Sequence, residues 1–343
     1  MNFFTGGTSS STDIALTLAS NNDATFTGSI TASGGQIKNA NNINASSHNF
    51  LVETTNKSNS LYAYGADRNG TMYGIKVDGG LVAENLLTRS SGTSNLRLGN
   101  NAGLNIASGG NYNTVVGDEA GNDITAGDNN TFVGYASGDA VTTGTESVAF
   151  GSNALSASVG ADKNTALGAY ALRNDTEGES SVAVGHQALN AQNFSSATSA
   201  FNVAVGANAG VSVTTGLNNT IIGGLAGDAL TDADFNVAVG QGALSSDSLG
   251  SRSVAIGMDA LTSQNPTDGS GNNEARDMHN VAVGYHAGVS VTEGKQNTFI
   301  GSLAGDANTI GNENVALGYN ALGSNVSGDR TVAIGYGALA ARS

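Results

Sequence analysis

The chain has 343 residues, 49 of them Gly, with one Pro, no Cys, 39% hydrophobic residues, 12% charged residues and a formal net charge of −15. The lack of cysteine excludes disulfides and thiolate metal sites, and the acidic balance argues against a nucleic-acid partner, because phosphate binding needs clustered Lys and Arg. Low charge with ample apolar content is not the composition of a disordered tail, and the glycines lack the every-third spacing of collagen.

Met1-Asn2-Phe3-Phe4-Thr5-Gly6-Gly7 has no basic start and no long apolar stretch, so no signal peptide is read there. No apolar run of about 18 residues occurs, which removes a transmembrane helix from the reading. Residues 1–45 read as an attachment and shaft segment, with Ile14-Ala15-Leu16-Thr17-Leu18 and Ala24-Thr25-Phe26-Thr27-Gly28-Ser29-Ile30 alternating as strands do. Residues 46–94 read as a small β module, with strands at Leu61-Tyr62-Ala63-Tyr64-Gly65 and Met72-Tyr73-Gly74-Ile75-Lys76-Val77 across a turn.

From 95 to 343 one phrase recurs fourteen times, as in Asn113-Thr114-Val115-Val116-Gly117 with Ala120-Gly121, or Ser147-Val148-Ala149-Phe150-Gly151 with Ala154-Leu155. Ten of the thirteen steps between its central glycines are 17 residues, and the others are 18, 21 and 27. A short fixed period means one structural unit per repeat, each dependent on its neighbours for burial. The expected fold is an all-β parallel roll or solenoid of about fourteen rungs. A second glycine column, including Gly110, Gly127 and Gly144, marks another turn, so two short strands and two turns per rung are expected. Residues 202–261 match 280–339, as duplication of a four-rung block would produce.

Within each triplet the third residue is large and apolar, and the first is Val or Thr in every copy but the opening one, Leu96. Positions two apart share a strand face, so these two columns are expected to form the core of the coil. The middle residue faces the other way and is apolar in every rung but the first, where it is Arg97. A strand apolar on both faces is buried on both, so the middle column is expected to meet another copy of the chain. Volumes compensate: Val115, Phe132, Ile221 and Phe299 go with Gly121, Gly138, Gly227 and Gly305, whereas Ala149, Ala166 and Ala183 go with Leu155, Leu172 and Leu189. This implies a shared packed space, which is expected between chains. The polar column, ten Asn, three Ser and Thr331, is expected to form side-chain ladders.

Asn202-Val203-Ala204-Val205-Gly206 and Ser253-Val254-Ala255-Ile256-Gly257 resemble the head repeats of trimeric autotransporter adhesins. Asn113-Thr114-Val115-Val116-Gly117 followed by Asn130-Thr131-Phe132-Val133-Gly134-Tyr135 resembles bacteriophage tail-fibre proteins, particularly marine ones, and residues 11–45 resemble the opening of fibre shafts. The resemblance covers about 95–343 and implies a homotrimeric, left-handed parallel β-roll in a virion fibre exposed to the medium. It also implies partners: the virion tail or baseplate through the N-terminus, and a host-surface glycan or protein. A chain ending at Ser343 would fit release from a self-cleaving trimerisation chaperone.

No catalytic, cofactor-binding or metal-binding residue is assigned: His48, His186, His279 and His286 show no ligand spacing, and no enzyme motif or cofactor is read. Acidic residues such as Asp118 with Asp139, or Asp228 with Asp306, could supply a carboxylate pair on a polysaccharide-degrading spike, a lesser reading than a fibre or a bacterial surface adhesin. Ice binding is set aside because the Thr/Val column is assigned to the core. Receptor contact is expected at the two longer steps, with Asn193 and Phe194 in one and Gln264, Asn265, Pro266, Asp268, Asn272 and Asn273 in the other. Tyr135, Tyr285, Tyr319 and Tyr336, each directly after a central glycine, are a further aromatic candidate.

Overall fold

The computed structural model describes residues 92–266 and 275–340, together with the backbone of Gly65–Ala66 and Met72–Tyr73. These two short strands pair antiparallel, across the turn read between them. The shaft strands expected within 1–45, most of the small module, and Asp268, Asn272 and Asn273 lie outside the described residues. The coil lies in a unit spanning Ala83–Ser343.

One three-residue strand per repeat stacks in chain order into a single fourteen-stranded parallel sheet. The strands are Leu96–Leu98, Thr114–Val116, Thr131–Val133, Val148–Phe150, Thr165–Leu167, Val182–Val184, Val203–Val205, Thr220–Ile222, Val237–Val239, Val254–Ile256, Val281–Val283, Thr298–Ile300, Val315–Leu317 and Val332–Ile334, numbered here as rungs 1 to 14. Register is strict: Val203, Ala204 and Val205 face Thr220, Ile221 and Ile222. At about 4.8 Å per strand the sheet runs about 62 Å. The chain is therefore a parallel β-solenoid.

Three features of each rung bend the backbone. The central glycines have φ between 118° and 141°, a region closed to L side chains. A Cβ at Gly223 would also stand 2.5 Å from the Gly240 carbonyl oxygen of the next rung. Left-handed residues follow two and four positions later and again before the polar column, as in Asn153 (φ 54°), Leu155 (φ 55°) and Lys163 (φ 60°). Such positions cost about 1 kcal/mol or more each, and they persist because every rung fixes the next. The Asn153 amide donates to the Tyr135 carbonyl at 2.9 Å, and the Leu155 amide to the Ala171 carbonyl at 3.0 Å. These bends also correct the expectation of two strands per rung. Among the described residues the second side pairs as strand at only two places, Gly178–Glu179 with Thr198–Ser199 and Gly250–Ser251 with Arg276–Asp277.

The face assignment is reversed. The middle residues, from Val115, Phe132 and Ala149 to Ala316, are fully buried inside the coil. The first and third residues point outward, and Leu98, Phe150, Ile222, Ile256, Leu317 and Ile334 are exposed. Inside, the middle residue shares a narrow space with the residue four after the central glycine, and the two compensate in volume.

The compensating volumes consequently lie within one chain rather than between chains. A Cβ at Gly138 would stand 2.6 Å from the Phe132 ring, and one at Gly305 would stand 2.7 Å from the Phe299 ring. Leu155, Leu172 and Leu189 fill the corresponding space in the Ala rungs and are fully buried. Arg97 is the one departure in the middle column. It occupies the first described rung, and its Nε donates to the Ala102 carbonyl at 2.7 Å.

Gly305→Leu should overpack the interior and destabilise the coil by about 1–3 kcal/mol, and adding Phe299→Ala should recover much of that loss. Leu322 already holds the equivalent left-handed position at φ 60° beside Ala316, so the backbone accepts the residue. Denaturant unfolding of the two single variants and the double variant checks this, and additive effects would contradict a shared space.

Candidate functional surface

A buried polar ladder holds the sheet to the opposite wall. The Asn219 amide N–H donates to Asn202 Oδ1 at 2.9 Å, Asn219 Nδ2 donates to the Ala233 carbonyl at 2.8 Å, and Asn219 Oδ1 accepts the Asn236 N–H at 3.0 Å. The same three bonds recur at Asn113 and Asn297. Each Asn side chain thus satisfies two buried backbone groups of the following rung, a carbonyl and an N–H. Asn219→Ala should cost about 1–3 kcal/mol for each backbone group left unpaired, whereas exposed Asn193→Ala should be close to neutral, both read by thermal unfolding.

A fifth inward column escaped the sequence reading. It stands seven residues after each central glycine and is apolar at Ile106, Ile124, Val141, Val213, Leu230 and Val291. It is polar and fully buried at Ser158, Asp175, Gln192, Asp247, Gln264 and Asn308, and Asp is followed by Gln in the next rung at two places. Gln192 Nε2 donates to Asp175 Oδ2 at 2.5 Å and to Ser181 Oγ at 3.2 Å, and Gln192 Oε1 accepts Asn202 Nδ2 at 2.9 Å. Gln264 Nε2 donates to Asp247 Oδ2 at 2.5 Å and to Ser253 Oγ at 3.1 Å, and Gln264 Oε1 accepts Asn280 Nδ2 at 2.8 Å. The signal was present in the sequence as Asp and Gln 17 residues apart, twice, each Gln directly before an insertion.

The expected contact residues divide accordingly. Asn193 and Asn265 are exposed. Phe194 and Pro266 are buried, and Gln264 is part of the network just described, so these three are corrected from contact residues to packing residues. Tyr135, Tyr285, Tyr319 and Tyr336 are all exposed, Tyr336 by 84%. Tyr319 and Tyr336 stack at 5.3 Å, whereas Tyr285 stacks on His286 at 3.8 Å, so the four do not form one continuous column. Asp228 and Asp306 lie four rungs apart, about 19 Å at strand spacing, beyond the reach of a glycosidase pair. Among the described residues no group of three or more His, Asp or Glu is placed to hold a metal ion.

The broadest surface feature is the outer face of the sheet. Its first and third columns carry 28 side chains over fourteen rungs, none charged, with five Thr as the only polar ones. At two columns wide and about 62 Å long the face covers ~600 Å², the upper end of what an isolated monomer leaves exposed. Charged side chains stand beside the face, several of them in the column that precedes the polar ladder, which also carries exposed Tyr112, Phe201 and Phe235. There Arg330 meets Glu313 at 2.8 Å, and Arg252 meets Asp277 at 2.8 Å while lying 4.7 Å from the Phe235 ring centroid. An apolar centre with a polar rim is the anatomy of a protein interface.

The reversal of faces also removes the ground on which ice binding was set aside. The face itself supplies another: nine of the fourteen first-column residues carry no hydroxyl, and the third column varies from Val to Phe, so no regular hydroxyl array forms. Comparison with protein-family models, curated proteins and solved structures finds no match.

Proposed function

We propose that this chain is a structural fibre protein whose copies pack through the outer sheet face, as a homotrimer that projects from a virion and attaches it to the host surface. The observation that carries the reading is the uncharged face of 28 residues, which the coil's own interior leaves uncovered. Burying apolar surface yields about 25 cal/mol per Å², so a face of this extent drives association once matched to an equivalent face. Closed point-group symmetry is the usual outcome for identical chains, and the number three comes from the resemblance to fibre and adhesin repeats. A bacterial surface adhesin would use the same assembly. Immunogold labelling of purified particles against labelling of a cell envelope separates the two.

Sedimentation equilibrium should give three times the 34.0 kDa chain mass. Paired substitutions Ile222→Asp and Ile256→Asp, which point outward and leave the interior untouched, should weaken or abolish association. A wild-type chain that remains a folded monomer at micromolar concentration overturns the assembly.

A further inference from the structure

We propose that the two buried Asp–Gln pairs, Asp175–Gln192 and Asp247–Gln264, are proton-responsive locks on the rungs from which the two insertions leave. The proposal does not depend on the oligomeric state. Both insertions follow a Gln of this column directly, and both leave a rung in which Ser181 or Ser253 replaces the ladder Asn. A Ser hydroxyl lacks the Nδ2 with which a ladder Asn reaches the next rung's carbonyl. Gln192 and Gln264 bond the Ser hydroxyl and join Asp175 and Asp247 to the next ladder residues, Asn202 and Asn280.

The locks also hold the insertion roots. Asp175 accepts the Gly178 N–H at 2.8 Å and a backbone N–H from Phe194, the second residue after Gln192. Thr176 Oγ donates to the Phe194 carbonyl at 2.7 Å. Asp247 accepts the Gly250 N–H at 2.6 Å and the Leu249 N–H, and Ser248 Oγ donates to Asn265 Oδ1 at 2.9 Å. The extra strand pairs, Gly178–Glu179 with Thr198–Ser199 and Gly250–Ser251 with Arg276–Asp277, take the chain back into the coil beside each lock.

Only hydrogen-bond donors offset the two carboxylates, and no cation acts on either among the described residues. The one charge acting on Asp175 is Glu177, of like sign, and none acts on Asp247. Burial therefore pushes Asp175 upward and Asp247 up to about 6, against the pull of the Gln amide and backbone N–H groups. When the Asp is protonated the proton bonds to Oδ2, the Gln amide turns so that its Oε1 accepts it, and the bond from Asn202 or Asn280 to that oxygen is given up. One neutral hydrogen bond is exchanged for removal of a buried charge. Because the folded form binds the Asp247 proton more tightly than the unfolded chain, the stabilisation from that lock is full below about pH 4 and is lost as the pH rises through about 6, and the upward shift of Asp175 acts in the same direction.

Amide hydrogen exchange on the full chain, corrected for intrinsic rates, tests the lock at pH 7.5 and pH 5.0. Protection of Arg276 and Met278, whose N–H groups bridge the break beside Asp247, should rise about tenfold on acidification, and protection of Ala200, which bridges the break beside Asp175, should rise as well. Thr220 and Val237, in rungs where this column is Val213 and Leu230, should not respond. Asp175→Asn with Asp247→Asn should abolish the response. An equal response at Thr220 and Val237, or a response retained in the double variant, overturns the proposal. Should the double variant not fold, aspartate carboxyl titration in the wild-type chain decides: a lock requires two midpoints clearly above the ordinary carboxylate range, and their absence overturns it.

Discussion

The interior of each rung admits one bulky side chain beside a small one, and the rest of the coil follows from that limit. Phe132 needs Gly138, Phe299 needs Gly305, and Ala149 needs Leu155. The walls stand so close because the chain reverses within 17 residues. It does so through a glycine at φ near 135° and several left-handed residues that would each be unfavourable alone. Stacking makes them favourable together, since each amide at a bend finds a carbonyl one rung away. The cost of bending is thus met by neighbours, as expected of a quasi-one-dimensional array.

Polar groups complete what packing begins. The Asn ladder runs inside the coil, where each amide satisfies backbone that water cannot reach. Both long insertions leave rungs where Ser181 or Ser253 interrupts the Asn series and an Asp–Gln pair bonds that Ser, whereas Ser147 interrupts the series in a rung of regular period. The buried carboxylates are an expensive arrangement, because an ion in an apolar core is stable only with several donors aimed at it. Val213 and Leu230 fill the same column in uninterrupted rungs without any such need.

Once the interior is full, the remaining apolar residues can only face outward. Their columns are continuous over the sheet, uncharged, and bordered by residues such as Glu313, Arg330 and Arg252. An apolar face of this length on a rigid parallel sheet suits a matching copy in register, since every copy presents the same strand spacing. A fibre assembled this way would carry its variable features on the insertion side and at the rim, away from the contacts that hold it together.

The repeat, its period, the fourteen strands and the all-β class were legible in the residues, because glycine spacing and β-branched triplets report directly on backbone conformation. The correlation between Phe299 and Gly305 was legible too, but its location was not. Two apolar columns on opposite faces of a strand look alike in sequence, and hydrophobicity alone favoured placing Val and Ile inside. The tertiary structure decided otherwise because the interior takes the column whose volumes the residues four after the central glycines complement, placing Ala149, Ala316 and Phe299 within and Phe150, Leu317 and Ile300 outside. The Asp–Gln locks were hidden for a related reason: Asp175 and Gln192 are 17 residues apart, a spacing without chemical meaning until stacking places one rung directly upon the next.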